Sequence, residues 1–264
     1  MIWILLACKP DPETLLDVPP PDFSIEEVES KTQESLALGL PNIPTIQQQY
    51  SDSMTLQDEN CPDFNGETDG LHGNWLADCQ TASGAYFYGF ANYFVQEFND
   101  MDGLYASALT ASFEIESPDG DAFIAGGTAL LELHQFPMIV EMRVNGTFQS
   151  LSNARWMEEG SMSLQVFGEL MDDQPLEFNG GIQYPLIDVY FNQMTSTPNE
   201  CDGLPQGTFD IRDSSGYWFS YTSKDCAPCG ALQWRGQSYG EICLGEALDQ
   251  ATSQVIDDIL DLYP

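Results

Sequence analysis

Met138-Ile139-Val140-Glu141-Met142-Arg143-Val144-Asn145 sets apolar against polar side chains at nearly every second position. That period of two belongs to a β-strand with one dry and one wet face, because successive side chains of an extended chain point to opposite sides. Met138, Val140, Met142 and Val144 then share the dry side, and Glu141, Arg143 and Asn145 the wet one. The pattern runs on across 122–191. Met162, Leu164, Val166 and Leu170 alternate with Ser161, Ser163, Gln165 and Glu169; Leu176, Phe178, Ile182 and Tyr184 follow, then Ile187, Val189 and Phe191. The expected fold is all-β: a curved antiparallel sheet, as a sandwich or incomplete barrel, with one C-terminal helix.

Moving outward, Tyr105, Leu109, Phe113 and Ile115 mark another one-faced strand, closed by the hairpin signal Ser117-Pro118-Asp119-Gly120. Asp-Gly supplies the positive φ values of a tight turn. Asn99-Asp100-Met101-Asp102-Gly103 reads as a turn as well. Gly126-Gly127 inside the next strand predicts a bulge or bend, and Asn145-Gly146 predicts an early strand end. Tyr86-Phe87-Tyr88-Gly89-Phe90-Ala91-Asn92-Tyr93-Phe94 is apolar on both faces, which predicts a strand beneath a second layer. Shorter strands are expected near 208–211, 217–221, 231–234 and 239–244. Residues 246–262 carry Leu248, Val255, Ile256, Ile259 and Leu260 on one helical stripe, with Asp249, Asp257, Asp258 and Asp261 largely elsewhere.

Residues 9–60 differ in composition. Prolines stand at 10, 12, 19, 20, 21, 41 and 44 among acids, Gln and Ser, with little periodicity. Such a segment buries too little surface to fold alone and is expected to be a tether, with one short helix near 24–38 opened by a Ser24/Glu27 capping box. The expected organisation is a leader at 1–8, the acidic Pro-rich tether at 9–60, and a single β domain at 61–264 with its helix at 246–262.

The chain holds 42 Asp plus Glu against 7 Lys plus Arg, a formal net charge of -35. This field repels nucleic acid and anionic headgroups. It suits a saline or cation-rich exterior, or equally an acid-biased set of exported proteins with no salt adaptation, and weak, unspecific divalent-cation binding over the acidic surface is expected.

The first residues, Met1-Ile2-Trp3-Ile4-Leu5-Leu6-Ala7-Cys8, form a short apolar run ending in a small residue and Cys. Leu5-Leu6-Ala7-Cys8 resembles the lipobox of bacterial lipoproteins. The resemblance implies a diacylated Cys8 as mature N-terminus and a membrane partner reached through that anchor. Lys9 in place of Asp implies, by the same analogy, the outer membrane or cell surface. No Lys or Arg precedes the run, and the run is shorter than a usual leader. Cys61-Pro62, Trp75, Cys79 and the Ser83-Gly84-aromatic strand are similar to a stretch in lipoproteins of myxobacteria-like secretomes; this implies an exported β domain and no activity.

Setting Cys8 aside leaves Cys61, Cys79, Cys201, Cys226, Cys229 and Cys243. An even count in an exported chain reads as disulfides. Cys61 and Cys79 stand apart and are expected to pair. A hairpin turn at 235–239 would return Cys243 to Cys229, leaving Cys201 with Cys226. Cys226-Ala227-Pro228-Cys229 also has zinc-ligand or thioredoxin-like spacing, but no second close pair supports it.

The sequence lacks a Gly-x-Ser-x-Gly elbow, a His-Glu-x-x-His helix, a Walker loop and a dinucleotide glycine fingerprint. His72 and His134 have no triad context. No catalytic, cofactor or metal residue is assigned; Asp100-Met101-Asp102-Gly103 and Asp119-Gly120-Asp121 read as turns rather than calcium loops. Tyr86, Tyr88, Phe90, Tyr190, Tyr217, Trp218 and Tyr221 offer rings for sugar stacking or for core packing. The expectation is a non-enzymatic, lipid-anchored envelope protein with a structural or binding role toward a protein or glycan. A lipid carrier with an open half-barrel is the alternative, and a secreted glycan-active hydrolase the next.

Overall fold

A computed structural model describes residues 24–66, 72–96, 103–135, 138–150, 162–170, 174–184, 186–197, 200–213, 218–223 and 225–262. Two helices come first, α1 (Ile25–Leu36) and α2 (Ile43–Met54). Thirteen strands follow: β1 (Phe64–Gly66), β2 (His72–Gln80), β3 (Tyr86–Gln96), β4 (Leu104–Glu116), β5 (Ala122–Gln135), β6 (Met138–Ser150) and β7 (Met162–Glu169). β8 (Leu176–Gln183), β9 (Ile187–Ser196), β10 (Gln206–Asp213), β11 (Trp218–Ser223), β12 (Cys229–Trp234) and β13 (Gln237–Cys243) complete them, and α3 (Gly245–Leu260) closes the chain. All strands pair in sequence order as one antiparallel meander, so the architecture is a single sheet rather than two facing ones.

The dry face is the one the alternation marks. Val140, Met142, Val144, Leu164, Val166, Phe178, Ile182 and Val189 are all buried, as are Tyr105, Leu109, Phe113 and Ile115. Their cover is the three helices. Val28 and Leu36 of α1, Ile43, Ile46 and Tyr50 of α2, and Leu248, Val255 and Ile259 of α3 join the strand residues in one apolar core. The segment expected to be a tether is therefore folded from Ser24 onward, and the domain does not begin at Cys61. Ser24 caps α1 by accepting from the Glu27 N–H at 3.1 Å, and Asn42 caps α2 by accepting from the Thr45 N–H at 2.9 Å. The Asn42 side chain also donates to the Asp258 carboxylate at 2.8 Å, tying α2 to α3.

The helices show that the sheet is curled. Gln33 bonds β13 and Tyr50 bonds Trp75 of β2, strands eleven steps apart in the sheet order. The same two helices also pack across the middle of the sheet, α1 on β9 and α2 on β5 and β6. One compact helical pair thus meets strands from both ends and the centre, as it does when the sheet wraps around it. Gly127 and Gly146 are register partners in an unbroken ladder, so no bulge forms at Gly126-Gly127; the strands approach so closely that a Cβ on either would collide with the other strand's backbone. β6 runs on past Asn145-Gly146 to Ser150, because the close approach needs glycine there without needing a turn.

The Ser117–Gly120 turn forms as expected, with Gly120 at φ 88. Arg235 (φ 52) and Gly236 (φ 72) make the two-residue turn, and a one-residue bulge at Tyr239 of β13 then brings Cys229 opposite Cys243. Cys61–Cys79, Cys201–Cys226 and Cys229–Cys243 are disulfide-bonded. The Asn99–Gly103 turn falls largely outside the described residues.

Candidate binding surface on the outer face

Helices cover only the inner face of β3, and no second layer lies over its outer face among the described residues. Phe87, Ala91 and Val95 point into the core, while Tyr88 (54% exposed), Phe90 (42%) and Phe94 point outward. Leu76 of β2, 80% exposed, stands directly opposite Phe90. Two-sided apolarity here marks an apolar surface, not a buried strand. Tyr86 donates its hydroxyl to Asp78 at 2.5 Å, which raises the Tyr86 pKa and fixes one end of the patch.

The aromatic residues singled out by sequence separate into three groups. Tyr86, Tyr88 and Phe90 belong to the β3 patch. Tyr190 and Trp218 lie on the same outer face far along the sheet, with ring centroids 4.8 Å apart. Tyr221 is buried in the core, and Tyr217 lies outside the described residues.

The Tyr190 group is the denser one. Register sets Asp188 opposite Arg212 and Arg212 opposite Trp218; one step along, Tyr190 faces Asp210 and Asp210 faces Ser220. Arg212 sits 3.9 Å from Asp188 and 5.7 Å from the Trp218 ring centroid. Ser220 donates to Asp210 at 2.6 Å, and Asp210 is only 8% exposed although it points to the outer side. Burial raises the Asp188 pKa, with Arg212 opposing the rise. Burial, then the nearby Asp188 charge, raises that of Tyr190, again against Arg212. Gly181 opposes Tyr190, and a Cβ there would run into its ring, so the ring rests on bare backbone.

A row of uncharged polar side chains connects the two groups, and sequence inspection strand by strand misses it. Asn65, Asn74 and Asn92 are successive register partners on β1, β2 and β3. The same line continues through Thr110 and Thr128 to Asn145 and Ser163 on β7. It then meets Gly181, Tyr190, Asp210 and Ser220. All seven from Asn65 to Ser163 are exposed, and none makes a side-chain hydrogen bond to another described residue. From Asn74 to Ser163 the positions recur every 17 or 18 residues, and the pairing register is what sets them side by side.

His72 and His134 lie on different strands, β2 and β5, that are not neighbours. Among the described residues no cluster of His, Cys, Asp and Glu suited to a metal is found. All six expected cysteines are in disulfides; Cys8 and the Asp100–Asp102 turn lie outside the described residues. Compared with family models, with curated proteins and with solved structures, the chain finds no match in any of the three.

Proposed function

We propose that this chain is an exported, lipid-anchored protein of the cell envelope whose outer sheet face is a binding surface. The outer-face patch of Leu76, Tyr88, Phe90 and Phe94 carries the reading: a soluble domain exposes a contiguous group of large apolar side chains where a partner covers them. Three disulfides support an oxidising compartment, and the Leu5-Leu6-Ala7-Cys8 start supports the anchor. The role is binding rather than catalysis. The carrier alternative loses its support because the chain's own helices fill the hollow of the sheet with buried apolar side chains.

Membrane fractionation in a bacterial host that processes lipoproteins tests the anchor. The wild-type chain is expected in the membrane pellet and the Cys8→Ala chain in the soluble fraction. Equal partitioning of the two would overturn the anchored reading.

A further inference from the structure

Building on that binding role, we propose that the uncharged row is a track for an extended, neutral polysaccharide lying across the strands. The aromatic groups on β3 and at Tyr190 with Trp218 stack on its sugar rings. Charge is the first support. A chain with 42 acids places none at seven successive register positions, although Asp78, Glu114 and Glu132 occupy the same face nearby. Uncharged amides and hydroxyls match an uncharged, hydroxyl-rich ligand, while the -35 field repels anionic polymers. A cationic peptide would be drawn to the acids instead of to the row.

Repeat is the second support. Neighbouring strands stand about 4.8 Å apart, close to the advance of one ring in an extended β-linked hexose chain. One Asn, Thr or Ser side chain therefore meets each successive sugar, with its donors and acceptors unused by the other described residues. Position is the third. Phe90 and Phe94 flank Asn92 one step to either side along β3, and Tyr190 lies in the row itself beside Trp218. Ring faces pack against the apolar faces of sugars, so stacking residues stand at two well-separated points of the track, β3 and β9.

Affinity electrophoresis of the purified full chain tests this. Gels would contain hydroxyethylcellulose, xylan, a soluble β-1,3-glucan or mannan as neutral probes, with alginate as the anionic probe; phosphatidylcholine vesicles would be tested by co-sedimentation. Retardation by at least one neutral glycan and not by alginate is expected. Thr128→Glu and Phe90→Ala would each weaken that binding about tenfold, while Glu177→Gln, on the same face but off the row, would leave it unchanged. No retardation by any neutral glycan, binding to alginate or vesicles alone, or glycan binding indifferent to both row and patch variants would each overturn the proposal. Fractionation of the Cys8→Ala chain is read separately, so an anchored chain without glycan binding and a glycan-binding chain without an anchor give different results.

Discussion

The side-chain amide of Gln33 donates to the main-chain carbonyl of Cys243 at 2.8 Å, so α1 completes the hydrogen bonding of the last strand. Glu29, one turn earlier, accepts from the N–H of the same residue at 2.9 Å. Both backbone groups of Cys243 thus face away from β12 and find partners on a helix. An edge strand with free N–H and C=O groups invites pairing with another chain, and helix side chains answer that hazard here. Replacing both residues, Glu29→Ala with Gln33→Ala, is expected to lower stability by about 1 kcal/mol. Urea unfolding would show the lower midpoint with an unchanged slope.

The N-terminal helices are core, and Ile46 measures it. Its side chain is fully buried among strand and helix residues. Ile46→Ala should cost about 2–5 kcal/mol through lost burial and the cavity left behind. Thermal melting would read the loss; a melting temperature equal to wild type would mean that 24–60 is the loose tether its composition suggests.

Tyr50 predicts an alkaline limit. It accepts a hydrogen bond from the Trp75 indole N–H at 3.1 Å, and burial pushes its pKa up to about 12 against that bond's opposing effect. The neutral phenol is thus favoured in the folded state. Its contribution is complete below pH 10 and falls as pH rises toward 12, where the unfolded chain has already released the proton. Tyr50→Phe should be less stable than wild type at pH 7, having left the indole unpaired, and the gap should narrow at pH 11. Paired denaturation curves at the two pH values test the sign.

Cys229 and Cys243 close a short loop, with a sequence separation of 14. Removing the bond in a Cys229→Ser, Cys243→Ser chain should cost about 3 kcal/mol if chain entropy dominates. The register of β12 with β13 should survive, since the Arg235-Gly236 turn and the bulge at Tyr239 set it without the disulfide. Guanidinium unfolding gives the loss, and unchanged far-ultraviolet circular dichroism reports the intact sheet.

The strands were legible wherever one face is dry. Val140, Met142 and Val144 announce β6 because burial on a single side imposes the period of two on the sequence. The capping box at Ser24 and Glu27 likewise announces α1. α2 was hidden by composition: Pro41 and Pro44 suggest a linker, yet Pro44 sits in the first turn, where a missing N–H costs nothing. Asn42 as cap with Ile43, Ile46 and Tyr50 at helical spacing was the available signal. β3 misled in the opposite direction, because exposed aromatics and buried ones look alike in sequence. The Asn-Thr-Ser row recurs every 17 or 18 residues from Asn74 to Ser163, but that spacing alone puts no side chains together; the register across strands does.

Intact mass spectrometry of the membrane-extracted chain, without reduction, reads anchor and disulfides together. The expected species begins at an acylated Cys8, with all six remaining cysteines oxidised as the three disulfides and no thiol free to alkylate. A chain beginning at unmodified Met1 with its cysteines reduced would contradict that expectation.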